Sequence, residues 1–302
     1  MSSFMESLPR PTKTYHTKSY ARIAEDHDFD GAGKTVLVTG GAGGVGLAIS
    51  RAFAEAGVSR LVIVSRSTEP QARAKAELEA AHPGLEVRTY AASITDRART
   101  AEILRDLDAG GGVDVLVLCA AVAHRRVTAA EVAPQEVRDA FEVNAIAPFD
   151  WVQTYLASPP PTSKTKTVIN VSSAAAQMRH PMRAAYGPSK AAGAAIMQAF
   201  AAEVDWRRKQ QPVGAEEGKT RIFSFHPGSH YTPGVAEHFA RDALEWDDIN
   251  LPAHFARWLA GPQSDFLHGR FLWAHWDVDE LIAAKEALAE SPEALLIGLI
   301  QL

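Results

Sequence analysis

Cysteine is nearly absent. A single Cys119 among 302 residues excludes an intrachain disulfide and any multi-cysteine zinc or iron–sulfur site, and points to a reducing compartment. There is no excess of basic charge either. Lys and Arg number 31 against 36 Asp and Glu, a formal net charge of −5, which excludes a nucleic-acid grip built on net basicity. No apolar run approaches the roughly 18 residues of a membrane span. The first 22 residues lack the apolar block of a secretory signal, and Glu6, Glu25, Asp26 and Asp28 make the leader too acidic for a mitochondrial address. These absences predict a cytoplasmic protein with neither membrane nor nucleic acid as a partner. Two catalytic signatures are also missing: no His-Glu-x-x-His for zinc among the 11 histidines, and no Gly-x-Ser-x-Gly elbow of a hydrolase. Gly31-Ala32-Gly33-Lys34-Thr35 imitates the end of a P-loop, but the first glycine would fall at Asp28 and Lys34 precedes a strand, so an ATPase is excluded. What is present is ordinary globular material, 46% hydrophobic with 21 glycines and 17 prolines.

From residue 34 onward, short β-branched runs alternate with longer alanine-rich stretches of helical period, the rhythm of parallel strands joined by crossover helices. Strands are predicted at 35–39, 60–65, 85–91, 113–119, 167–172, 221–225 and 270–273, enough for one seven-stranded parallel sheet. Helices are predicted at 45–56, 70–81, 97–107, 134–156, 185–208 and 251–259. Several strands are apolar almost throughout, as helices on both faces require. The expected architecture is a doubly wound α/β domain over 34–277, with 1–33 as an N-terminal extension and 278–302 as a helical tail. The tail's apolar end, 294–300, needs a covering surface from its own domain or a second subunit.

Thr39-Gly40-Gly41-Ala42-Gly43-Gly44-Val45-Gly46 follows the first strand and opens the first helix. Without side chains, the backbone can turn tightly and approach a pyrophosphate, whose charge lies against the positive end of the helix dipole. Three registers fit at once: Gly41, Gly43, Gly46; Gly40, Gly44, Gly46; and Gly40, Gly43, Gly46. The cluster alone therefore names no subfamily, and a glycine turn without a ligand is its plainer alternative. An acidic residue at the end of the second strand would bind the ribose hydroxyl of NAD. The sequence there is Ser65-Arg66-Ser67. Arg66 can make charge-assisted bonds to a 2′-phosphate, with the two serines as auxiliary donors, which favours NADP over NAD. The competing reading is a solvated arginine after a strand.

Tyr186-Gly187-Pro188-Ser189-Lys190 puts a phenol and an ammonium on one helix face, with Pro188 tolerated in the first turn. A free phenol keeps its proton at neutral pH. A nearby positive charge favours the phenolate, so the pair can trade a proton with a substrate oxygen. Thirteen residues before Tyr186, the strand Val168-Ile169-Asn170-Val171 ends in Ser172-Ser173. This combination resembles the short-chain dehydrogenase/reductase family, in its single-domain branch, over 34–277. The resemblance implies a Rossmann fold and NADP(H)-dependent interconversion of a carbonyl and an alcohol. In it, Ser173 would polarise the substrate oxygen, leaving Ser172 structural. Tyr186 would be the general acid or base, Lys190 would hold the nicotinamide ribose, and Asn144 would anchor a water of the proton relay. Ser93, Ile94, Ala120, Ala121, Pro227, Gly228 and Thr232 would join Thr39, Gly40, Gly44, Val45, Gly46 and Ser65 to Ser67 around the cofactor. His230 and Tyr231 would lie at the substrate mouth; His180 and Arg183, between Ser173 and Tyr186, would lie near it, where they could recognise a polar substrate group or belong to a plain surface loop.

Two places depart from the family's pattern. Leu118-Cys119-Ala120-Ala121 replaces the usual Asn-Asn-Ala-Gly, and Ser93 replaces an aspartate after strand three. Altered cofactor affinity is expected there rather than lost chemistry. The region 266–281 looks like that of filamentous-fungal members, which implies secondary metabolism. The family also implies a homo-oligomer, dimer or tetramer, packed through the helices starting near Pro134 and Ala185, with Ala191 to Ala195 permitting close approach. Two alternatives keep the scaffold: a non-redox epimerase, dehydratase or cyclase, and a catalytically silent NADP(H)-sensing protein.

Overall fold

Successive residues of a strand point to opposite faces of its sheet, and here both faces are apolar. The strands are β1 (Thr35–Thr39), β2 (Arg60–Ser65), β3 (Glu86–Ala91), β4 (Val115–Leu118), β5 (Thr165–Val171), β6 (Lys219–His226) and β7 (Phe271–Trp273). They form one seven-stranded sheet in the order β3-β2-β1-β4-β5-β6-β7, every pairing parallel. This computed structural model describes residues 6–123, 125–178, 181–211, 218–237 and 239–298. Val36, Val38, Ile63, Val117 and Ile169 pack into one buried cluster with side chains of the Gly44–Glu55 and Asn250–Ala260 helices. Leu37, Val62, Val64, Leu116 and Val168 pack into a second, with side chains of Arg97–Asp108, Ala147–Ala157 and Tyr186–Gln210. Each fully buried aliphatic side chain contributes about 1.5–3 kcal/mol relative to exposure, and this double burial fixes the Rossmann-type fold.

Every predicted strand is present, its ends within two residues of expectation. The helices differ more. The single helix expected over 134–156 is a helix at Pro134–Phe141, a π-helical turn at Glu142–Ile146 and a second helix at Ala147–Ala157. The tail is not helical throughout: it forms Val278–Ala283 and Lys285–Glu290 and then leaves helical geometry. Pro292, one residue past Ser291, cannot extend the ladder. The Leu295 carbonyl instead accepts from the Phe271 N–H of β7 at 2.7 Å. Ala294, Leu295 and Ile297 pack on the first core cluster, so this part of the apolar tail is covered by its own domain; residues 299 and 300 lie outside the described residues.

The stretch before β1 packs against the body of the molecule. Ile23 is fully buried and Phe29 nearly so, and Tyr15 forms an antiparallel bridge with Trp276. Arg257, 2% exposed, donates to the carbonyls of Ala52, Ile23 and Ala24. One buried guanidinium thus ties this stretch to two helices.

Candidate active site

The strand order reverses between β1 and β4, and in such sheets ligands bind beyond the carboxyl ends of the strands at that point. A crevice of about 950 Å³ opens there, lined by residues that follow β1, β2, β3, β4 and β6 and by the end of β5. Its size suits a large ligand.

The glycine turn forms its floor. A Cβ on Gly46 would come within 2.3 Å of the Gly40 carbonyl oxygen, so the first helical turn presses against the end of β1 as only glycine allows. The turn's bare backbone and the start of the Gly44–Glu55 helix thereby face the crevice, a cradle fitted to a pyrophosphate. Of the cofactor residues expected from the sequence, Gly40, Gly44, Val45, Gly46, Ser65, Arg66, Ser67, Ser93, Ile94, Ala120, Ala121, Pro227 and Thr232 line the crevice, with Tyr186 and Lys190. Arg66 is exposed. Gln71 gave no signal in the sequence: buried in the next helix, it donates to the Ser65 carbonyl and hydroxyl and to the Tyr90 carbonyl, fixing the end of β2. Asp139, Glu142 and Val143 also line the crevice and were not foreseen.

Thr39 faces β4 instead. Its buried hydroxyl donates to the Val117 carbonyl and accepts from the N–H groups of Cys119 and Ala120 at 3.0 and 3.2 Å. The Asn144 amide clamps Val122 through both its N–H and its carbonyl, each at 3.0 Å, and donates to the Ser189 hydroxyl. Backbone that lacks the family's asparagine pair is therefore held from β1 and from the π turn. Burial raises the Cys119 thiol to about 11, against a smaller opposing effect of Lys190, so this crevice residue keeps its proton.

The π turn is a consequence of sequence. Pro148 has no N–H and cannot bond the Asn144 carbonyl four residues back, while the Ala147 N–H reaches Glu142 five back. The Asn144 carbonyl points toward Gly193, where a Cβ would lie 2.4 Å from it. Gly193 therefore serves packing within the chain, with Ala194 buried beside it. This approach draws the Tyr186–Gln210 helix against the π turn. Lys190, at its first turns, is buried and donates to the Val171 carbonyl at 3.0 Å; Tyr186 is half-buried.

The serine pair divides. Ser173 is half-buried, and its hydroxyl accepts from the Ala175 N–H at 3.2 Å, capping a short turn. Ser172 is buried, lines the crevice, and its hydroxyl has no hydrogen-bond partner among the described residues. His180 lies outside the described residues. His230 faces inward: it is 6% exposed, with one ring nitrogen 2.9 Å from the Pro227 carbonyl. Tyr231 packs on Trp246. The Gly228 N–H donates to His226, and Asp247 accepts from the Ser229 N–H at 2.7 Å and lies 3.1 Å from His275. A histidine-rich cluster thus braces the turn after β6, whose Thr232 reaches Gly44.

Fold and crevice define the class, a Rossmann-type α/β protein with a glycine-floored cleft. The short chain dehydrogenase family profile matches residues 34–211. The chain is similar to the short chain dehydrogenase/reductase AacuD of Aspergillus aculeatus, at 59% identity over 99% of this chain and 100% of the relative. It is similar to nsrO of Aspergillus novofumigatus, described in the same words, at 54% over 99% of each. Among solved structures, a short chain dehydrogenase of Shigella flexneri complexed with NADP matches with TM-score 0.72 and 19% identity, covering 82% of this chain and 99% of that one. The chain belongs to the short-chain dehydrogenase/reductase family. It is an oxidoreductase of that family, which uses nicotinamide cofactors.

The cluster after β6 sets a pH dependence. Burial, aided by the charges of His275 and His230, holds His226 well below the usual histidine range, and burial also lowers His230. The unfolded chain binds these protons near pH ~6.5 while the folded chain resists them, so stability is full above that pH and falls as pH drops below it. Urea midpoints should be lower at pH ~5.5 than at pH ~7.5, and His226→Phe should shrink that difference. An equal loss in that variant would contradict the assignment.

Proposed function

We propose that the chain is an NADP(H)-dependent oxidoreductase that interconverts a small-molecule carbonyl and an alcohol, with Tyr186 as general acid in reduction and base in oxidation. The observation that carries this reading is that Tyr186 and Lys190 share one crevice with the glycine turn and Arg66. A bound nicotinamide supplies or accepts the hydride. The glycine turn from Gly40 to Gly46 would hold the pyrophosphate on backbone N–H groups, and Arg66, with Ser65 and Ser67, would take the ribose phosphate. No acidic residue stands at this strand end, which supports NADP, as does the NADP complex of the Shigella flexneri protein.

Tyr186 delivers its phenolic proton to the carbonyl oxygen as that oxygen gains charge, and recovers it in the reverse direction. The buried Lys190 ammonium, held by the Val171 carbonyl, would hold the nicotinamide ribose. Ser173 orients the substrate oxygen. Asn144 would anchor a water of the proton relay. The fungal relatives support a place in secondary metabolism, and a homo-oligomer, dimer or tetramer, in the cytoplasm completes the reading.

Tyr186→Phe removes the transferable proton and is expected to lower kcat by about 10²- to 10⁴-fold, while fluorescence titration still detects NADPH binding. Near-normal turnover would defeat the mechanism. For the cofactor, Arg66→Ala should cut the ratio of kcat/KM with NADPH to that with NADH by about tenfold; an unmoved ratio would remove Arg66 from the phosphate site.

A further inference from the structure

Two arginines, one of them beside Tyr186, have no acidic partner among the described residues. Arg183 holds its guanidinium carbon 5.5 Å from the centre of the Tyr186 ring. Arg126, from the segment after β4, holds its own 5.6 Å from the Phe239 ring, in the segment after β6. Both are half-buried. They are close enough to repel: burial first, and then the Arg126 charge, lower the proton affinity of Arg183, while Tyr186 acts the other way. The Arg126 Nε is buried without a hydrogen-bond partner among the described residues. Glu136, which lines the small hollow shared by Arg183 and Tyr186, is engaged by Arg125 at 2.8 and 3.3 Å.

Two like charges, partly desolvated and ion-paired to no carboxylate among the described residues, raise the energy of the unliganded protein. An anion between them would relieve both the repulsion and the missing hydrogen bond, and the guanidinium fork fits carboxylate oxygens two at a time. The neighbourhood is also aromatic. Trp246 packs edge-on to Phe239, 6.3 Å between centroids, and lies 5.4 Å from Tyr231, giving a flat apolar wall of the kind that receives ring systems.

We propose that Arg126 and Arg183 bind an anionic oxygen, a carboxylate or an acidic phenolate, carried on an aromatic carbonyl substrate, and so present its carbonyl group to Tyr186. This inference rests on the carbonyl chemistry proposed above, and its test separates the two.

Para-acetylbenzoate is compared with its methyl ester, and para-hydroxyacetophenone, at a pH where it is ionised, with para-methoxyacetophenone. For each, NADPH consumption is followed, and binding to the NADPH-loaded protein is measured by calorimetry. In the wild type, the anionic member of at least one pair should bind or react about tenfold better than its neutral counterpart. Arg126→Gln and Arg183→Gln should each reduce that ratio about tenfold, and Arg126→Lys should restore part of it. The ratio cancels any effect Arg183→Gln has on Tyr186 itself. The pair that discriminates tells carboxylate from phenolate. NADPH consumption without discrimination between the members, or a ratio unmoved in both glutamine variants, overturns the anion site and leaves the oxidoreductase reading standing. Arginine-dependent anion binding without NADPH consumption keeps the anion site and removes the carbonyl chemistry. Absence of both binding preference and discrimination in every pair overturns the anion site.

Discussion

The contact between Gly46 and the Gly40 carbonyl is the constraint on which the rest depends. With 2.3 Å between that oxygen and any Cβ placed at residue 46, a side chain would push the Gly44–Glu55 helix off the end of β1. That helix could then no longer aim its unpaired N–H groups into the crevice. The turn after β6 follows from it, since Thr232 reaches Gly44 and brings the Pro227 turn to the same rim. A backbone approach in one turn therefore sets the spacing between the glycine floor and the wall that includes Tyr186 and Lys190.

A second close approach orders that wall. Pro148 withholds the hydrogen bond that would cap the Asn144 carbonyl, the helix relaxes into a π turn, and Gly193 lets the Tyr186–Gln210 helix settle against it. The Asn144 side chain then reaches the backbone after β4 and the Ser189 hydroxyl, in the turn between Tyr186 and Lys190. Three segments that are distant in sequence are locked by one asparagine. The missing asparagine pair after β4 is accommodated because Thr39 and Asn144 supply the bonds to that backbone.

The sheet was legible because parallel strands covered on both faces write themselves as apolar runs, and because Gly84 and the triplet at Gly110 punctuate them. The glycine turn, Arg66, Tyr186 and Lys190 were legible for a related reason: they are local signals, each short and attached to an element end. The break in the helix over 134–156 was not, although Pro148 was its visible cause, since a proline one turn into a helix reads equally well as the start of one. Gln71 and the bracing of the turn by His226, His230 and Asp247 could not be read, because they depend on which side chains meet across elements. Arg126 and Arg183 belong to that class too, as residues distant in sequence that form no ion pair among the described residues.

The central claim is that this crevice brings a carbonyl carbon to a nicotinamide and moves hydride between them. It is tested most directly with NADPH deuterated at the transferring position of the nicotinamide ring, incubated with the protein and aromatic ketones, with products read by mass spectrometry. The account predicts one deuterium on the carbinol carbon of the alcohol for each NADPH consumed. Product formed without deuterium and without loss of NADPH would contradict it and mark the chemistry as non-redox.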